Sequence, residues 1–229
     1  MFFKNVFDNF NSSVFLRKLV CYLAGLFLIA VGINVSKTGG LGISPVSATP
    51  YALEVIWGIE LGRATAIVLV FLVFVQMLLL RKNYKVIQLL QFFTLFVLSF
   101  FVTYTSRKFL LCWLPLPSNY IISLLYTVLS SVIIGVGVSF YLIPKWIPMP
   151  PEGLAVAITQ TGKKSIPIHT AKNIVDLSMV TVAIVLSLIM TGKVVAVREG
   201  TIIVALLVGR FVGFGNKLYK DKIIEWIYK

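Results

Sequence analysis

The chain is dominated by long apolar runs that alternate with short basic segments. The runs long enough to cross a membrane lie at about 15–35, 64–80, 86–104, 120–143, 173–190 and 195–213. A transmembrane helix needs about 20 mostly apolar residues, so the second and fifth runs are on the short side. The first run is too long for a signal-peptide core, and no small-residue cleavage site follows it, so we expect it to be retained. The pattern predicts an all-α fold, a polytopic membrane bundle of about six transmembrane helices in a single membrane domain over residues 1–229.

The two ends of the chain carry a weaker amphipathic pattern. Aromatic residues of segment 1–14 fall on one helical face, and apolar residues of segment 214–229 alternate with lysines. Such patterns are typical of helices that lie in the membrane interface. We therefore expect interfacial segments at both ends, with frayed polar tails as the alternative.

Composition supports a membrane protein and changes the interpretation of charge. Hydrophobic residues make up 59% of the chain and charged residues only 13%, too few to cover the surface of a soluble domain. The formal net charge of +13 would suggest nucleic acid as a partner of a soluble protein. Here the basic residues lie in short loops between apolar runs, where they set membrane topology. We therefore expect the lipid bilayer, and no nucleic acid, as a partner.

The distribution of basic residues predicts the orientation of the chain. With six spans and a cytoplasmic N-terminus, only six of the 21 lysines and arginines fall outside: Lys37, Arg63, Arg107, Lys108, Lys193 and Arg198. Cytoplasmic loops are enriched in basic residues. We therefore expect both termini in the cytoplasm.

An internal repeat relates the two halves of the chain, at about 15–104 and 120–213. At an offset of 105 residues, Gly32 falls on Gly137 and Pro45 falls on Pro150. Each half contains a span, a proline-interrupted connection, a span, a basic turn and a span. Because three spans per half invert the second half, the pattern predicts the inverted repeats that recur in transporters. The alternative is that two bundles of apolar helices align to some degree by composition alone.

The connection over residues 36–63 contains a glycine cluster followed by an apolar run. Either Ser44-Pro45 or Thr49-Pro50 could begin a short helix, since Ser or Thr at the N-cap and Pro at the first position are favoured. We expect this helix to extend to about Trp57 and to end at Gly58. It is too short to span a membrane, so it is either re-entrant or interfacial.

The connection over residues 144–172 repeats this arrangement. Pro150 and Pro151 lead into an apolar helix that should end near Gly162. The two short helices would then approach from opposite faces, with their N-termini at a shared site able to hold an anionic group. Irregular backbone at membrane depth requires protein or water around it. Ordinary surface loops are the alternative.

Candidate substrate-binding residues come from these connections and from the start of the last span. They are Gly40, Ser44, Pro45, Ser47, Pro150, Glu152, Gly153 and Glu199. Glu152 has two interpretations: stabilisation of a helix dipole, or a proton, cation or substrate-amine site at membrane depth. We assign Asp176 to an interfacial pair with Lys172, four residues earlier, and leave it outside the site. Gln76 and Gln91 are expected to form interhelical hydrogen bonds.

The sequence contains no pattern typical of catalysis or metal binding. It lacks the H-E-x-x-H and Walker motifs, and its one histidine, His169, lies in a basic segment. Cys21 and Cys112 do not form a disulfide framework. We expect no enzymatic activity, no cofactor and no metal.

Several motifs together resemble the YczE/YitT-like family of small bacterial membrane proteins. They are the glycine-rich segment 39–50, the segment 150–154, and the segment 198–201 with the following 205–209. Arg210 stands where the resemblance implies a proline. The resemblance implies a multi-pass protein of the bacterial plasma membrane and does not imply a substrate.

These patterns leave three functional hypotheses. The first is a secondary transporter or channel for a small solute, an anion being one option, with its site at the repeat interface. The second is a substrate-capture subunit of a larger uptake complex, and the third is a non-transporting membrane scaffold or assembly factor. A homodimer is compatible with the glycine-rich helix faces.

Overall fold

The computed structural model describes residues 12–161 and 166–228, and all regular secondary structure in these ranges is helical. The predicted interfacial segment at 1–14 lies mostly outside the described residues. Two short 3₁₀ segments, at 81–83 and 86–90, precede α4. The α-helices are α1 (Ser12–Gly39), α2 (Pro45–Trp57), α3 (Leu61–Leu80), α4 (Gln91–Tyr104), α5 (Tyr120–Leu142), α6 (Pro150–Thr161), α7 (Ile168–Thr191) and α8 (Glu199–Tyr228).

Six helical segments of the described chain are long and apolar enough to cross a membrane. They are α1, α3, α4 with the 3₁₀ turn before it, α5, α7 and α8. The predicted fold class is confirmed, and the chain is a multi-pass integral membrane protein. The helix predicted to begin at residue 173 begins five residues earlier, at Ile168. The prediction missed its first turns because they carry polar side chains, which a hydropathy pattern assigns to a loop.

The last helix is longer than the sequence pattern indicates. It begins at Glu199 rather than at residue 195 and continues for 30 residues, a length of roughly 45 Å. Its end packs on the start of α1, where Ile227 is buried against Cys21 and Arg17 Nη1 donates a 2.9 Å hydrogen bond to the Trp226 carbonyl. Residues 214–228 are therefore the continuation of α8, docked on α1.

A seam of small residues joins α1 to α5. Three glycines of α1, spaced seven residues apart, contact three small residues of α5: Gly25 on Gly137, Gly32 on Ser130 and Gly39 on Ser123. The partner numbers fall as the α1 numbers rise, so the helices are antiparallel. A Cβ on Gly25 would lie 2.7 Å from the Gly137 carbonyl oxygen, so the backbones approach as small residues allow in membranes.

The first short helix, α2, lies at membrane depth. It begins at Pro45 and its C-cap is Gly58, whose φ of 68° suits glycine. Thr49 Oγ1 donates a 2.6 Å hydrogen bond to the carbonyl of Met179, at the middle of the spanning helix α7. This contact lies far from both ends of α7, as expected of a re-entrant connection rather than of a surface loop.

The second short helix, α6, is packed in a corresponding way. α2 contacts α3 and α7, and α6 contacts α7 and α3. Two buried tyrosines hold the segment that precedes α6: Tyr22 Oη donates to the Ile147 carbonyl at 2.9 Å, and Tyr141 Oη accepts from the Met149 amide at 2.8 Å. The start of α6 is thereby fixed between α1 and α5.

The two halves differ in how their last two spans pack. In the first half α3 packs along α4, with Gly62 against the Ser99 carbonyl. In the second half, α8 packs chiefly on α5, with Gly135 against Phe211, and the described residues show no comparable interface between α7 and α8. A gap therefore remains between α7 and α8.

Candidate functional site

A central cavity of about 430 Å³ lies within the bundle, and all eight helices contribute to its wall. Its volume is within the range of roughly 300–1,000 Å³ that small-molecule sites occupy. Most of the wall is apolar. The polar side chains lie at the N-termini of the short helices (Ser44, Ser47 and Glu152) and on α7 (His169, Lys172, Asn173 and Asp176), with Thr65 of α3 in addition.

The N-terminal ends of both short helices open onto this cavity. Pro45 and Ser47 come from the first turn of α2, and Pro151 and Glu152 come from the first turn of α6. Ser44 Oγ donates to Ser47 Oγ at 3.1 Å, which leaves the Ser44 side chain engaged within its own turn. Each end presents the positive pole of a helix dipole to the cavity.

A cluster of three charged side chains forms the most polar part of the wall. Lys172 Nζ lies 3.4 Å from Glu152 Oε1 and 3.7 Å from Asp176 Oδ1. Two carboxylates and one ammonium give the cluster a formal charge of −1. Glu152 Oε2 is buried and has no hydrogen-bond partner among the described residues, and Asp176 Oδ1 has the 3.7 Å ion pair with Lys172 but no closer hydrogen bond. A buried carboxylate oxygen without a partner is costly, so the cluster can accept a donor from a ligand.

Two buried tyrosine side chains lie near Glu152 of the cluster. Tyr22 and Tyr141 are buried and lie within electrostatic range of Glu152. Tyr22 Oη lies 2.6 Å from Thr94 Oγ1, so the tyrosine pair links α1, α4 and α5 to the segment before α6. Through this segment the tyrosines position the turn that carries Glu152.

Gly153 allows α6 to approach α3 and α4 closely. A Cβ at this position would lie 2.7 Å from Gln76 Oε1 and 2.6 Å from Gln91 Nε2. Both glutamines are fully buried, yet their amide atoms have no hydrogen-bond partner in the described part of the chain. They pack on the α6 backbone, and the interhelical hydrogen bonds that we expected for them are not formed.

The candidate residues from the sequence divide into three groups. Ser44, Pro45, Ser47 and Glu152 line the cavity. Pro150 and Gly153 belong to the first turn of α6 but do not line the cavity. Pro150 is buried, and Gly153 faces Gln76 and Gln91. Gly40 and Glu199 form the third group, which lies at the start of α8.

Gly40 and Glu199 do not line the cavity, and their role in substrate binding stays a prediction. Arg198 brings them together where α8 begins, because its Nη1 donates to the Gly40 carbonyl at 3.0 Å and its Nη2 contacts Glu199 Oε1 at 3.2 Å. The Gly200 amide also donates to the Leu41 carbonyl at 2.8 Å. These residues hold the first connection against the start of α8.

The polar face of α7 is the part of the site that the sequence analysis missed. His169, Lys172, Asn173 and Asp176 all line the cavity and are spaced as one face of a helix. This spacing is the signal that could have found them. The interfacial pair of Lys172 and Asp176 exists, but its contact with Glu152 makes both residues part of the cavity wall.

Comparison with known families places the whole bundle in one group. A family model described as a family of unknown function, DUF6198, matches residues 16–217, which span all six transmembrane segments from near the start of α1 into α8. The chain belongs to this family. No curated protein and no solved structure matches the chain. The resemblance to YczE/YitT-like proteins stays an expectation.

Proposed function

We propose that the chain is a secondary transporter that binds a small solute in the central cavity. The observation that carries this proposal is the charged cluster of Glu152, Lys172 and Asp176, placed on a cavity that both short-helix N-termini reach. Ionisable residues at membrane depth are expensive and typically mark substrate or ion pathways. A scaffold protein would have no need for buried carboxylate oxygens facing a cavity.

The packing of the two halves supports an inverted repeat. At the offset of 105 residues, Gly25 corresponds to Ser130 and Gly32 corresponds to Gly137. The contact of Gly25 with Gly137 therefore has its equivalent in the contact of Gly32 with Ser130. In the same way α2 corresponds to α6 and α7 corresponds to α3, and α2 packs on α7 as α6 packs on α3. Transporters built from inverted repeats bind their substrates at the repeat interface, which is where this cavity lies.

The charges favour a solute with a cationic or hydrogen-bond-donating group. The cluster has a formal charge of −1, and Glu152 lies in the first turn of α6, where a carboxylate already compensates the positive end of the dipole. An anionic solute would meet two carboxylates, Glu152 and Asp176, and only Lys172 and the N-terminus of α2 would attract it. We place the chain in the bacterial plasma membrane with both termini cytoplasmic, as the basic residues indicate.

The test is a thermal-shift screen of the purified protein against metabolites and ions, followed by uptake of any hit into proteoliposomes. A ligand at 100 times its Kd stabilises the folded state by about 2.7 kcal/mol. We expect Glu152→Gln to remove both the shift and the uptake while the protein still folds. Glu54→Gln is the matched control, since Glu54 pairs with Lys37 away from the cavity.

The two assays also separate the competing functions. Wild-type uptake by Glu152→Gln would refute the proposed role of Glu152. Binding without uptake would identify a substrate-capture subunit, and a folded protein that responds to no compound would support the scaffold.

A further inference from the structure

The cavity lies between α7 and α8, which both line it and, within their described residues, do not pack along each other. α7 contributes the polar side chains of one wall, and α8 contributes Val204, Ala205, Val208, Gly209 and Val212 on the other. The described residues of these two helices share no packing interface like that of α3 with α4. A molecule in the bilayer could therefore enter the cavity sideways.

The polar and apolar walls lie at different depths in the membrane. Asp176 is roughly 12 Å along α7 from its start, so the charged cluster lies in the half of the bilayer where α7 begins. α8 returns from the opposite side, and Val204 to Val212 lie about 8 to 20 Å from its start, toward the middle of the bilayer. The cavity thus runs from the charged cluster in one leaflet, past Ser44 and Ser47 near the midplane, along the apolar face of α8.

This polarity matches that of an amphiphile lying in the same leaflet, with its headgroup outward and its chain toward the midplane. Building on the proposed transport function, we propose that the substrate is a single-chain amphiphile with an ammonium headgroup, which enters between α7 and α8. The headgroup contacts Glu152 and Asp176, and the chain lies along α8. The formal charge of −1 on the cluster complements the cation, and Glu152 Oε2, which has no hydrogen bond within the described chain, accepts the headgroup's donors or positive charge.

The volume and charge of the cavity distinguish this substrate from other occupants. About 430 Å³ is near the lower end of the range for drug-sized sites, which suits one chain rather than a two-chain lipid. A second copy of the protein could cover the apolar residues of α8. It would leave the two carboxylates of Glu152 and Asp176 with Lys172 as their one shared cation in the cluster, unless it also supplied a cation.

Two glycines of α8 provide a matched pair of variants. A Cβ on either Gly209 or Gly213 would meet no atom within 4 Å, so both tolerate a larger side chain. Only Gly209 lines the cavity. Gly209→Leu should fill the gap, whereas Gly213→Leu makes the same change in helix propensity one turn away.

The experiment uses the full chain in lipid nanodiscs with a nitroxide-labelled alkyltrimethylammonium probe, whose immobilised fraction is measured by electron paramagnetic resonance. We expect Gly209→Leu and Asp176→Asn each to weaken the association about tenfold, a change worth about 1.4 kcal/mol. Gly213→Leu and Asp221→Asn should bind as the wild type does. An alkyl sulfate probe with the same labelled chain should show no difference between wild type and Gly209→Leu.

Each outcome separates this inference from the transport proposal. If tetramethylammonium or a water-soluble metabolite stabilises the protein, and Gly209→Leu binds the labelled probe normally, the amphiphile is refuted while transport stands. If the sulfate probe competes equally with the ammonium probe, the headgroup assignment is refuted. If Gly209→Leu changes the number of copies per nanodisc and no probe binds, a second copy fills the gap. If neither probes nor metabolites bind, both proposals fall.

Discussion

Glu152 owes its position to residues that never touch the cavity. Tyr141 and Tyr22 hold the segment before α6 through hydrogen bonds with the Met149 amide and the Ile147 carbonyl. Gly153 lets α6 pack closely on α3 and α4. Polar groups at this depth are costly unless they are paired, so the tyrosines both satisfy the backbone and fix the carboxylate. The site is therefore defined by its supporting residues as much as by its charges.

Removal of the Tyr141 hydroxyl tests this support. Tyr141→Phe leaves the buried Met149 amide without its acceptor, which should cost about 1–3 kcal/mol and lower the melting temperature. Tyr126→Phe is the control, because the Tyr126 hydroxyl bonds the Pro115 carbonyl at an exposed position. Equal melting temperatures for the two variants would show that the buried hydrogen bond does not hold α6.

At the scale of helices, the antiparallel seam between α1 and α5 is the central packing contact of the bundle. Its small residues let the two backbones touch, and the cavity lies beside it, lined by Ile29 and Ile33 of α1 and Ile134 and Val138 of α5. The short helices α2 and α6 pack on the spans α3 and α7 beside this seam. The geometry of the cavity therefore depends on how closely the two helices approach.

A larger side chain in the seam should separate the helices. Gly25→Val would place its Cβ 2.4 Å from the Tyr141 backbone nitrogen, an overlap that typically costs about 1–3 kcal/mol. We expect a lower melting temperature and weaker ligand binding, since Tyr141 also positions α6. Gly213→Val, on the open side of α8, should melt close to wild type. A Gly25→Val protein as stable as this control would contradict the close approach.

The sequence was sufficient for most of the helices and insufficient for the site. Apolar run length predicts the spans, and proline and glycine predict where α2 begins and ends, because both signals are local. The polar start of α7 was assigned to a loop, since a hydropathy pattern does not register one helical face. Asp176 joins Glu152 only through the packing of α6 on α7, which no local pattern contains. Gly40 was assigned to the site by its neighbours in the chain, although it contacts Arg198.

At the scale of the whole molecule, one cavity lies between two halves whose helices pack in corresponding ways, as the proposed inverted repeat requires. The halves share the α1–α5 seam and exchange the packing of their short helices, whereas only the second half leaves its last two spans apart. A transporter must expose its site to each side of the membrane in turn. The cavity should therefore be reached from both sides in a population of molecules, and a bound solute should block that access.

Accessibility of Ser47 tests this claim most directly. Ser47 lines the cavity at the start of α2, and Ser47→Cys in a Cys112→Ser background leaves only the buried Cys21 as a second thiol. In sealed vesicles, a membrane-impermeant maleimide is applied to one side at a time, with and without a stabilising ligand. We predict labelling from each side, slowed by the ligand. Labelling from one side only would contradict transport through this cavity.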